Sequence, residues 1–279
     1  MARELKFKNP SFYERLRGML GVDFYRLFHT PLFYIFLAIA AIIPAMILGT
    51  GGMENPQTGE VSAQLYTNVW HIIAAESPLY VVGNIGEYAN MNMVFIFGGI
   101  MVSIFIGHDY KSGYVKQLFT THAKKMDYMI SKTISCAFAI VCMCWAYLIG
   151  GTIGGLIAGY DTAVNVGSLF VAVLGKMVLS LGWASLFTFI NVILRKQFGI
   201  SIVSSFFFGT GILIIGVAAV VEALSLPTGL LNIFLYGASV NACLVSGSGA
   251  YIICIVVSVM WTLIYDLLGT WILSRSDVY

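Results

Sequence analysis

Six long stretches of this chain carry almost no charge, and they decide what it can fold into. They cover about residues 32–48, 91–107, 133–158, 168–194, 200–221 and 250–273, and inside them only Lys176 and Asp266 are charged. A helix of about 20 apolar residues crosses a bilayer. Across the 279 residues, 59% are hydrophobic and 10% charged, whereas soluble domains carry about 25% charged residues. The stretches are continuous rather than alternating, which predicts helices and not the strands of a membrane barrel. The expected fold is an all-α integral membrane protein with six transmembrane helices, forming a single membrane domain over 1–279.

The segments between the spans refine this picture. In 10–30, Phe12, Leu16, Met19, Leu20, Leu27 and Phe28 recur at helical spacing, which predicts an amphipathic helix lying in the membrane interface. The polar start, Met-Ala-Arg-Glu-Leu-Lys, is unlike a cleavable signal peptide. Pro44 predicts a kink in the first span. The loop 49–90 holds Glu54, Glu60, Glu76 and Glu87 but no Lys or Arg. Between 223 and 249, two short apolar pieces are broken by Gly, Ser and Asn. Each is too short to cross, so two outer re-entrant helices are expected before the last span. With six spans, every Lys and Arg except Lys176 falls on one side, which predicts cytoplasmic termini and a multi-pass protein of the cell membrane.

The motifs that are missing narrow the chemistry. No Walker A sequence is present, so the chain cannot cradle ATP by itself, and no H-E-x-x-H zinc motif occurs. Gly237-Ala238-Ser239 lacks a plausible base, because His29, His71, His108 and His122 all precede the third span. No enzyme, metal site, bound cofactor or nucleic-acid partner is expected. The five cysteines imply no disulfide framework. Gly150-x-x-x-Gly154 and its neighbours Gly151, Gly155 and Gly159 predict close helix packing on the third span. The candidate intramembrane polar residues are Lys176, Glu222 and Asp266. Lys176 is expected to snorkel outward, Glu222 to meet water, and Asp266 to pair with a neighbouring helix.

The segment 108–132 is the most charged part of the chain. Asp109 is followed by Gly113, the apolar pair Leu118-Phe119, Lys124-Lys125, Tyr128, and Lys132 opening the third span. A plain connection needs only a few residues. This one is long enough to form a short docked helix facing a partner, or to lie on anionic lipid headgroups. Gly113 is expected to turn the chain, and Asp109 to cap the short helix or pair with a base.

These residues and the layout around them resemble the permease subunits of type-2 ABC exporters, and the resemblance runs the length of the chain. In place of the proline that such permeases commonly carry before the basic residue, this chain has His122-Ala123. The resemblance implies a half-transporter. Two permease subunits, identical or related, would pair in the lipid, and each would rest on a separate cytoplasmic ABC ATPase that holds ATP and Mg. Asp109, Gly113, Leu118, Phe119, Lys124, Lys125, Tyr128 and Lys132 would form the ATPase-coupling segment. The long outer loop looks most like the peptide, lantibiotic-immunity and antibiotic export branch, which implies an amphipathic cargo moved outward. The residues alone leave two rivals open. One is an ion-coupled secondary transporter or channel lined by Lys176, Glu222 and Asp266. The other is a membrane sensor or accessory subunit.

Overall fold

The computed structural model describes residues 10–49, 91–120, 123–159, 166–195, 197–244 and 248–275, and these are helical apart from short turns. The loop 49–90, with its four glutamates, lies outside the described residues beyond Gly49, as does His122 of the 108–132 segment.

Helix α1, Phe12–His29, opens on a reciprocal cap. The Glu14 amide donates to Ser11 Oγ, and the Ser11 amide donates to Glu14 Oε2 at 2.7 Å. Two otherwise orphaned N–H groups are satisfied in this way. Hydrogen bonds from the Ser11 backbone and side chain hold the Glu14 carboxyl below its usual range. One face of α1 buries Met19, Asp23 and Leu27, while Phe12 and Phe28 stay exposed. Pro31 then starts α2, Pro31–Gly49, after a bend of 64°. Proline suits a first helical turn because its missing N–H would be unpaired there. Helix α2 runs through Pro44 as one element.

Helix α3 is Met93–Lys111, α4 is the single short helix Tyr114–Thr120, and α5 is Lys125–Ile157. The expected third span therefore begins eight residues early, at Lys125 rather than Thr133, and the first two turns of α5 belong to the charged segment. Helix α6 is Val166–Ile193. The expected fifth span, 200–221, is not one helix. It is α7, Phe198–Gly209, and α8, Ile212–Ala223, bent by 55°. The break has a physical cause. Gly211 sits at φ +72°, which favours glycine, and the Tyr236 ring occupies the place where a Cβ would stand. A 3-10 helix, Thr228–Ile233, and α9, Leu235–Leu244, supply the two short pieces before α10, Ser248–Arg275.

Four helices are long and apolar enough to cross a membrane, and up to six spans result if α1–α2 and α7–α8 each count as one. Helix α10 shows why lipid is the natural surrounding. Ile252, Val256, Val259, Leu263, Leu267 and Trp271 line one exposed face of it. An apolar stripe this long is rarely left open to water.

Close packing joins the bundle. A Cβ on Gly150 would lie 2.0 Å from the Ala41 carbonyl oxygen, and one on Gly154 would lie 2.4 Å from that of Ala45. The glycine stack thus forms an intramolecular seam between α5 and α2, small residue against small residue. Deeper in, Trp183 of α6 stacks between Phe95 and Phe187 at centroid distances of 5.1 and 5.5 Å. The described basic residues apart from Lys176 collect at one end: on α1, around α4, at the turn after α6, and at Arg275 closing α10. Lys125 Nζ donates to the Leu273 carbonyl at 2.6 Å, and the Lys111 ammonium sits 3.9 Å from the Phe198 ring centroid, which ties these pieces into one basic end.

Candidate functional site

The basic end is organised by a quartet of charges, three of them buried and the fourth, Arg26, half-buried. Lys132 of α5, fully buried, lies between Asp23 Oδ1 of α1 at 2.5 Å and Asp109 Oδ2 of α3 at 2.6 Å. Arg26 of α1 pairs with the other oxygen of Asp109. Ser131 Oγ donates to Asp23 Oδ2 at 2.6 Å. Two acids and two bases balance, so the cluster carries no net charge. Aromatic faces complete the shell: Tyr114 of α4 lies 4.4 Å from the Arg26 guanidinium, and Phe105 lies 4.6 Å from the Lys132 ammonium. Burial and the nearby Asp23 carboxylate push the Tyr114 hydroxyl's pKa up. A further pair, Arg15 Nε to Asp127 Oδ2 at 2.7 Å, pins the start of α1 to the start of α5. Charges this well buried hold their geometry tightly, because removing one partner strands the other out of water.

Helix α4 hangs from this cluster. Helix α3 ends at Lys111 with Ser112 as its cap, and Gly113 follows at φ +74° with no heavy atom within 4 Å of its Cβ position. The positive φ alone makes glycine the fitting residue there, and no clash is involved. Val115 is buried, and Leu118 and Phe119 are half-buried against a small core of Met19, Tyr128, Met129, Val192 and Leu273. Phe119 meets Tyr128 edge to face at 5.7 Å. Lys116, Gln117 and Thr120 face outward.

The eight residues of the expected coupling segment thus occupy different depths. Asp109, Tyr128 and Lys132 are buried inside the protein. Leu118 and Phe119, expected to anchor a partner, pack first against this chain's own core. Gly113 is half-buried at the turn, Lys125 is tied to Leu273, and Lys124 is exposed. Asp23, Arg26 and Arg15 were not singled out by apolar spacing. The signal for Arg15 and Asp23 is positional: Arg15, Met19, Asp23 and Leu27 follow at intervals of four, so they share one face of α1.

The intramembrane candidates lie apart from one another. Asp266 of α10 accepts from Thr133 Oγ1 of α5 and Ser185 Oγ of α6, both at 2.8 Å, so it pairs with two neighbouring helices. Glu222 is exposed near the end of α8. Lys176 does not snorkel. It is fully buried, and its Nζ donates to Asn92 Oδ1 at 2.6 Å. Composition had also passed over a polar knot on α6: Asn191 Nδ2 donates to Ser103 Oγ at 3.1 Å, Ser103 meets Ser205 at 2.7 Å, and Ser201 bonds Asn191.

No curated protein matches the chain. A family model described as "ABC-2 family transporter protein" does match, over residues 20–217, from the middle of α1 into α8. The match takes in the charge quartet, the α3–α4–α5 junction and the broken helix pair. The chain belongs to the ABC-2 transporter family, whose members are membrane subunits of ABC transporters working with separate ATPase subunits.

Proposed function

We propose that this chain is the membrane-spanning half of an ATP-driven exporter, and that α4 is where a separate cytoplasmic ATPase presses on it. The observation that carries this is the suspension of α4. A short helix with an outward polar face of Lys116, Gln117 and Thr120 is hung on Gly113, set by Tyr114 against the charge quartet and by Phe119 against Tyr128. A push on α4 reaches α1, α3 and α5 together, because those three helices share Asp23, Arg26, Asp109 and Lys132. ATP and Mg sit on the ATPase, and two permease subunits pair so that their motion opens a path outward. The basic end faces the cytoplasm, in keeping with the positive-inside rule. An amphipathic peptide or antibiotic-like molecule is the cargo class. Lys176, Glu222 and Asp266 share no contact, so nothing in their placement favours an ion relay.

The test uses the outward face alone. Lys116→Glu and Gln117→Ala are expected to leave thermal stability unchanged while reducing ATPase co-purification and cargo-stimulated hydrolysis at least several-fold. Normal association and hydrolysis in these stable variants would remove α4 as the contact.

A further inference from the structure

We infer that Lys176 is the docking point for an oxyanion, a carboxylate or phosphate, on an amphipathic molecule entering the bundle at the end opposite the basic face. Placement comes first. Helix α6 reaches the basic end at Val192, which packs with Met19 and Leu273. Lys176 lies sixteen residues earlier, roughly 24 Å away along the helix. Helix α3 also ends at the basic face, so its N-terminus, with Asn92, lies at the opposite end beside Lys176.

The electrostatics of this place are one-sided. A lysine ammonium has three donors and no acceptor. Lys176 is fully buried, and its acceptor is the neutral Asn92 Oδ1, which also accepts from Ser239 Oγ of α9. No carboxylate among the described residues pairs with it. The α3 N-terminus adds positive potential at the same spot, where an ammonium is unfavourable and an anion favourable. Two turns further along the same face of α6, Trp183 Nε1, a donor only, is buried with no acceptor among the described residues. This face of α6 thus carries a buried ammonium held by a neutral acceptor and a buried N–H with no acceptor among the described residues, in a region where such groups are costly. An oxyanion supplies the missing negative charge at Lys176, and acceptors for the ammonium protons that Asn92 does not take.

Ser239 links the site to the broken helix pair. It stands three residues from Tyr236, whose ring covers Gly211 at the α7–α8 bend. Naming the occupant as cargo rests on the export reading above. Binding does not, and it is read without nucleotide or ATPase, so failure of the two claims is separable.

The experiment measures thermal unfolding of the purified full chain in neutral detergent with dodecanoate or dodecyl phosphate, against dodecyltrimethylammonium as control. A hundredfold excess over Kd is expected to raise Tm by roughly 5–10 °C. Lys176→Arg retains the shift and Lys176→Met loses it. Asn92→Asp provides an internal counter-ion. It is expected to raise Tm without probe and to abolish the response, whereas Asn92→Asp/Lys176→Met shows no such gain. If Lys176→Met does not fold, an unchanged probe response in Asn92→Asp overturns the proposal. Nanodiscs of phosphatidylglycerol and phosphatidylcholine separate the sources. A Lys176-dependent gain in phosphatidylglycerol without a response to the free amphiphiles supports the site and assigns it to lipid. Equal shifts in wild type and Lys176→Met, or none beyond the cationic control in either lipid or detergent, overturn it.

Discussion

Lys132→Met is the sharpest perturbation of the basic end. The side chain is fully buried and neutralises parts of two carboxylates, Asp23 and Asp109. With methionine there, Asp109 keeps Arg26, but Asp23 keeps only the Ser131 hydroxyl. The quartet changes from neutral to one buried negative charge. Breaking a buried pair in this way costs about 3–5 kcal/mol. At roughly 2–4 °C per kcal/mol for a chain of this size, Tm should fall by about 6 °C or more. The double variant Asp23→Asn/Lys132→Met leaves the balanced Arg26–Asp109 pair and should be more stable than Lys132→Met alone. The assay is thermal unfolding in detergent of both singles and the double, followed by size-exclusion chromatography to confirm monodisperse protein. Additive losses, or a drop below about 2 °C for Lys132→Met, would refute the quartet as a coupled unit.

Three further outcomes are expected. Gly150→Leu should drive α5 and α2 apart, because its Cβ would meet the Ala41 carbonyl at 2.0 Å; the readout is loss of monodisperse protein on size exclusion, while Ile149→Leu on the exposed side behaves as wild type. Gly113→Ala should cost roughly 1–2 kcal/mol from the left-handed φ alone, with no steric addition, so Gly113→Asn should recover part of the lost Tm. Glu222→Gln and Asp266→Asn should leave ATP-dependent transport in vesicles at least partly intact, and transport driven by an ion gradient without nucleotide would reverse the energy assignment.

Much of the helical layout was legible because long apolar runs have few other solutions. The short helix after Gly113 was legible for a related reason, since a glycine followed by Tyr114-Val115 marks a turn into an amphipathic piece. Elsewhere spacing alone misled. The run Phe206-Phe207-Phe208-Gly209-Thr210-Gly211 reads as continuous span, and the break emerges only when Tyr236, distant in the chain, fills the space over Gly211. Leu118 and Phe119 read as anchors for a partner, and spacing does not show that they also pack on this chain's own core, Phe119 edge to face on Tyr128. Asp23 is hidden within an apolar face because its meaning depends on Lys132, which lies on another helix. Lys176 looks free to reach outward until Asn92 and α9 enclose it. Periodicity reports which residues share a face, and it does not report what that face meets.

The central claim, that α4 is the contact for a separate ATPase, is tested most directly by site-specific crosslinking. A photo-crosslinking residue at Lys116, on the outward face of α4, is compared with one at Glu222, exposed at the end of α8. The account predicts that, in cells expressing the full chain, position 116 captures a Walker A protein and position 222 does not. Capture of that ATPase from position 222 alone, or none from position 116 when the ATPase still co-purifies, would contradict it.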